Sequence, residues 1–584
     1  MIYISLFSLI LTIKEKNDNI FLKNNIERGS ENMKKTFSVI LVAVMLFVSM
    51  APMASAVNER TPIVYIRGNG DGIYYPDGTL CVAQFEDLSL GGEEGLDKDT
   101  IVETAVNILK PFVLEGMLFD KWDNYGRAVY EELKPLFPDS ALDYDGNPTK
   151  GTGVHPQIMA DSITASKSSY NYQVNGQYAF AYDWRLSPYD HVDRLHEYVL
   201  QVLSSTGQTQ VSMYARCMGG SLLKAYIERY GHLGHIKNVL FCDVLSNEST
   251  LFSKAFSGQI EFDAKTIERY AGQIDFCGKT GDGVGFEFGE VLYEIIFKTM
   301  DFFNQINVSD KALDSVEELY EKLGKALMPA LLHAFGMATQ VNYWTEVNEK
   351  DMDAALDLVF GKEGSETRIK YAGLIEKIQY YREHVSSDIN GFYESLEEKE
   401  IHYGFVAKYG FLNMPILADS DLPSDALVSL KHAAYGATTA PVGKTLSEAY
   451  INSRIAENKG KYIAPDKQVD LSTCKAPDRT WVLKNAHHDV IDCLEPIIWE
   501  FLNGTNETVD TVTSGSQFMV YDYDTATASV MTEDNCAEYE WITRPVENPT
   551  TETRLVSFMR FFTMIINFFT KLFKGELDFS NVLG

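Results

Sequence analysis

Four short apolar runs separated by stretches of helix length constrain this chain more than any other feature. Residues 62–67, 178–182, 210–214 and 236–242 concentrate Val, Ile, Tyr, Phe, Met and Ala over strand length. Between the second and third runs, Val192, Leu195, Val199, Val202 and Leu203 share one helix face; between the third and fourth, Leu222, Leu223, Tyr226 and Ile227 share another. Strands that are apolar throughout are buried on both faces, and strands joined by crossover helices run parallel. The expectation is an α/β fold built on a mainly parallel sheet, with a strand at 62–67 that ends in the turn Gly68-Asn69-Gly70-Asp71-Gly72.

The alternation stops near residue 250. Residues 250–400 read as helices, for example 312–332 and 375–389, with a Gly-rich interruption at 278–285. Strand-like runs resume at 401–409 and 480–484, the second followed by a helix at 493–502. The expected organisation is one core in two parts, 57–249 and 401–504, with a large helical cap or lid inserted at 250–400. Residues 505–550, rich in Thr, Ser, Tyr and acids, read as a small β-rich appendage. Residues 551–584 read as an apolar C-terminal helix, whose run at 555–573 is interrupted by Arg560, Asn567 and Lys571. Such a segment would make peripheral contact with a membrane or dock on the protein's own surface.

At the other end, Lys34-Lys35 precedes an apolar run at 37–50 and the small residues Ala54-Ser55-Ala56. This is the pattern of an export signal at 33–56, which makes 1–32 an upstream extension and the mature protein secreted or cell-surface. The formal charge of -31, from 51 Lys and Arg against 82 Asp and Glu, repels polyanions and argues against nucleic acid as a partner. The sequence has no HExxH, EF-hand, Walker or CxxC motif, so no metal or cofactor is expected. Nothing in it implies an obligate protein partner. Seven cysteines are too sparse for a disulfide scaffold, and the odd number implies a free thiol or an intermolecular bond.

Chemistry concentrates at Tyr214-Ala215-Arg216-Cys217-Met218-Gly219-Gly220, where a strand is expected to turn into a helix. A nucleophile elbow needs small residues two before and two after the reactive side chain, here Ala215 and Gly219 around Cys217. The positive end of the following helix, with Arg216, would favour a thiolate. The backbone N–H groups of Asn69 and Met218 would form an oxyanion hole. His488, of the doublet His487-His488 after the strand 480–484, is the expected general base. Its orienting acid is expected to be Asp466, just upstream of that strand, with Asp425 as the rival and Asp282 a weaker one.

With these pieces in place the chain resembles the lecithin:cholesterol acyltransferase-like, lipase-like branch of the α/β-hydrolases. The resemblance rests on 62–70, on Phe180-Ala181-Tyr182-Asp183-Trp184-Arg185, on the elbow and on the Asp466/His488 end. It implies an α/β-hydrolase core and a cap enclosing a lipid-like acyl ester. The chain departs from that branch in having Arg216-Cys217 where His-Ser is usual, and Asp466-Lys467 where Asp-Gly is usual. The functional expectation is an exported esterase, lipase or O-acyltransferase that forms a thioester on Cys217. The alternative is a non-catalytic surface binding or scaffold protein on the same fold.

Overall fold

A computed structural model describes residues 61–68, 72–82, most of 107–136, 139–155, 177–245, 249–260, 273, 316–413, 422–539 and 542. The export signal, residues 1–32, Asn69, Gly70, Asp282, the Gly-rich 278–285 and the apolar run 555–573 lie outside them.

The strands β1 (Ile63–Ile66), β2 (Gln177–Phe180), β3 (Val211–Arg216), β4 (Ile236–Cys242), β5 (His402–Tyr409), β6 (Thr480–Lys484), β7 (Phe518–Asp522) and β8 (Thr527–Val530) form one eight-stranded sheet. Its order is β8-β7-β6-β5-β4-β3-β1-β2. Every neighbouring pair is parallel except β7 with β8. The inner strands are buried along almost their whole length, as their continuous apolar sequence requires. The region expected as an appendage instead extends the sheet: Val482, Leu483 and Lys484 pair with Phe518, Met519 and Val520. Met519 is buried in the same cluster as Trp481 and Leu483, which explains why the polar-looking segment cannot stand apart.

The amphipathic helices α1 (Trp122–Leu133), α2 (Val192–Thr206) and α3 (Gly219–Tyr230) connect the early strands. Between β4 and β5 every described element is helical: the principal ones are α4 (Thr250–Ser257), α5 (Val316–Ala334), α6 (Glu349–Phe360), α7 (Ala372–His384) and α8 (Ile389–Glu398). α9 (Glu495–Asn503) then covers the opposite face of the sheet with Ile497, Ile498, Phe501 and Leu502.

Among the described residues the helical insertion shares its core with the sheet. Leu327, Trp344, Leu356 and Ile378 lie in one continuous buried cluster with Val64, Ile66, Met213 and Phe241 of the sheet. Trp344 sits at its centre, 5.3 Å from the Phe360 ring and 4.7 Å from Phe256, and its indole N–H donates to the Ala338 carbonyl at 2.9 Å. Replacing Trp344 with Ala removes a fully buried aromatic and is expected to cost about 3–5 kcal/mol. Because the core is shared, circular dichroism and tyrosine fluorescence should report one coincident denaturant transition in wild type and variant; two separated transitions would show that the insertion unfolds alone.

Candidate active site

The strand order reverses at β1, whose neighbours are β2 on one side and β3 on the other. At such a switch point the loops leave in opposite directions and open a crevice at the carboxyl edge of a parallel sheet. Gly68 follows β1 and Cys217 follows β3, so both emerge into that crevice. Cys217 has φ 49° and is part-exposed. A Cβ built on Gly68 would stand 2.7 Å from the Cys217 Cβ, and one on Gly219 would stand 2.1 Å from the Arg67 carbonyl oxygen. One on Gly220 would meet Val244 at 2.0 Å. Glycine is therefore dictated by close approach at all three positions, and α3 starts two residues after Cys217.

The Met218 N–H opens that helix, where first-turn amides have no intrahelical acceptor and can meet a developing anion. The other expected donor, Asn69, is among the residues not described. The nearby Phe180-to-Arg185 run supports the β1 side of the crevice. Tyr182 donates its hydroxyl to the Arg67 carbonyl at 2.9 Å, and Arg185 forms a buried two-pronged pair with Asp183 at 2.9 and 2.7 Å.

His488 stands in the loop after β6. Its ring Nδ1 lies 2.6 Å from Asp425 Oδ2, and its main-chain N–H donates to the Asp425 carbonyl at 3.0 Å. Asp425 lies in the loop after β5, at the same edge of the sheet. Its Oδ1 accepts the N–H groups of Leu427 at 3.0 Å and Val428 at 2.7 Å. Cys217, on the elbow after β3, also acts electrostatically on this ring. Burial favours neutral His488, yet the Asp425 charge and then Cys217 oppose it and carry its pKa well above the ordinary value. Burial likewise opposes ionisation of Asp425, but the charge and hydrogen bond of His488, with Lys408 and the Val428 N–H, bring its pKa below the ordinary carboxylate range.

Asp466 is not at His488. Its Oδ2 accepts from Lys484 at 2.9 Å and from the Tyr409 hydroxyl at 2.8 Å, and its Oδ1 accepts the Gln468 N–H. Lys484 points inward from β6 with almost no exposure, and a buried ammonium requires a counter-charge. Asp466 and Glu538 supply it. Nearness along the chain to His488 was the misleading signal. The informative one was the Asp425 segment following the 401–409 strand, because each parallel strand delivers its next loop to the reactive edge. His487 is turned away, edge-on to Phe411 and 3.6 Å from Asp489.

No family model matches the chain, and no curated protein does. Among solved structures it is similar to a chain of "The crystal structure of Tle4-Tli4 complex", with 10% identity, a TM-score of 0.23, and coverage of 60% of this chain and 75% of that one. The protein's class is set by its own architecture, an α/β fold with an α/β-hydrolase-like, mostly parallel eight-stranded sheet.

The buried pair gives a pH test. The His488 pKa is raised by folding, so its contribution is complete below the ordinary histidine value of about 6.5 and is lost as pH climbs through the folded value. The Asp425 pKa is lowered, so its contribution is present above about 3.9 and is lost as pH falls through the folded value. The stability gap between wild type and Asp425→Asn is expected to be widest between about pH 4 and 6.5 and to shrink above neutrality. Urea midpoints from pH 3 to 9 measure it, and a gap that widens steadily above pH 7 would contradict the pairing.

Proposed function

We propose that this chain is an acyl-ester hydrolase or O-acyltransferase with Cys217 as nucleophile, His488 as general base and acid, and Asp425 as the carboxylate that orients it. The observation that carries the reading is the buried imidazole of His488, with Asp425 Oδ2 2.6 Å from its Nδ1 and the strained elbow at Cys217 acting on it electrostatically. The proton leaves the Cys217 thiol for His488, and the sulfur attacks the ester carbonyl. The oxyanion is met by the Met218 N–H and, in this reading, that of Asn69. Collapse of the tetrahedral adduct breaks the ester C–O bond, with His488 returning the proton to the departing alkoxide. Water or an acceptor alcohol then gives its proton to His488, attacks the thioester and releases the acyl group, and the proton returns to sulfur.

Lipid-like esters are the favoured substrates. The large helical insertion beside the crevice and the apolar run at 555–573 support this, as does export by the sequence at 33–56. Truncation after Asn548 is expected to reduce cosedimentation with anionic vesicles and turnover of aggregated ester, while a soluble short-chain ester is affected much less. Equal vesicle binding by the two proteins would remove the interfacial part of the reading.

A panel of short- and long-chain acyl esters under reducing conditions tests the chemistry. Cys217→Ala should abolish formation of a covalent acyl adduct seen by mass spectrometry. His488→Ala and Asp425→Asn should each slow single-turnover acylation by about 10²-fold or more. Asp466→Asn should lower the melting temperature with a much smaller effect on acylation by the folded protein. If no ester yields an adduct on the wild type, the protein is a binding or scaffold member of the fold; if Asp466→Asn alone is inactive while folded, the triad is wrongly drawn.

A further inference from the structure

His488 is held at four points, of which only two belong to the triad. Its Nδ1 and main-chain N–H engage Asp425, while its carbonyl oxygen receives two cations. Lys408 reaches that carbonyl from the end of β5, and the Arg216 guanidinium reaches it from the end of β3 at 3.0 Å. Asp243, at the end of the intervening β4, lies 2.8 Å from Lys408 with both side chains fully buried. Three adjacent strands thus supply an Arg–Asp–Lys row behind the histidine loop. Asp489 and Asp492 also interact electrostatically with Arg216.

Arg216 immediately precedes Cys217, so its backbone is part of the elbow while its side chain ends on the base's main chain. The sequence alone placed this cation beside the sulfur as a thiolate stabiliser; the structure aims it at the peptide that follows His488. A charge-assisted hydrogen bond to a carbonyl fixes the plane of that peptide, and the plane fixes where the imidazole can stand. Lys408 cannot be removed without stranding the buried Asp243 carboxylate, whereas Arg216 is part-exposed and can be varied.

We propose that Arg216 is a positioning residue that ties the nucleophile elbow to the histidine loop and sets the separation of the Cys217 sulfur from His488 Nε2. The proposal rests on the Cys217–His488 reading above. It predicts that Arg216 acts through His488, and not directly on the sulfur.

The test is the rate of Cys217 alkylation by iodoacetamide on the full chain from pH 5 to 9, located by mass spectrometry, with melting temperatures as a folding control. Arg216→Ala and Arg216→Gln are expected to react at least about tenfold more slowly at pH 7, with the profile displaced to higher pH, while Arg216→Lys, which keeps a charged donor, stays near wild type. In a His488→Ala background, Arg216→Gln should have no further effect. Should Arg216→Ala not fold, Arg216→Gln carries the measurement. Wild-type rate and pH profile in Arg216→Gln would overturn the proposal, as would a loss that persists undiminished without His488. If His488→Ala itself alkylates like wild type, the Cys–His couple fails first, and the two failures are told apart.

Discussion

The left-handed turn at Cys217 is the constraint on which the rest of the site depends. A non-glycine residue at φ 49° is disfavoured by roughly 1–2 kcal/mol relative to the right-handed region, so the surrounding packing must enforce it. Enforcement comes from three contacts that only glycine allows. Gly68 presses on Cys217 itself, Gly219 on the end of β1, and Gly220 on Val244 after β4. Relaxing the turn would drive α3 away from β1 and β4 together. The same constraint explains why Cys217 lies beside β1, where the strand order reverses and the two flanking loops part.

The surface charge is strongly acidic, yet Lys224, Lys408 and Lys484 are each almost wholly buried, and each donates to a main-chain carbonyl. Lys408 pairs with Asp243 and Lys484 with Asp466 and Glu538, while Glu346 acts electrostatically on Lys224. Buried pairs of this kind contribute little net stability compared with apolar packing, but losing one partner is costly. Their effect is to fasten loops that must leave the sheet at defined angles. Lys408 fastens the loop that carries His488, and Lys484 fastens the segment around Cys536.

Periodicity made the scaffold legible. The helix at Gly219–Tyr230 and the strands at Ile236–Cys242 and Thr480–Lys484 coincide with the apolar runs, because strands buried on both faces leave an unbroken signature. The strands at Phe518–Asp522 and Thr527–Val530 lie in a segment legible as β-rich but not as part of this sheet: the buried run Phe518–Val520 is short and set among polar residues, and Thr527–Val530, at the sheet edge, carries no core pattern. At the candidate site, the strand-to-helix turn at Cys217 and the place of His488 in the loop after β6 were readable from small-residue spacing and chain order. Asp425 against Asp466 was not, because the choice turns on Lys484, an inward-facing cation in a strand whose sequence does not announce which face it points to. Arg216 was visible as a charge, but its target lies 272 residues away along the chain.

The constraints of the fold converge on His488. Asp425 raises its proton affinity through a buried 2.6 Å contact, and the N–H groups of Leu427 and Val428 hold that carboxylate in place. Cys217 stays part-exposed just before α3, while the histidine remains buried against its carboxylate. Under the proposed function the thiol proton passes to His488 as the sulfur attacks, so the demand on the protein is to hold the elbow and the histidine loop at a fixed separation.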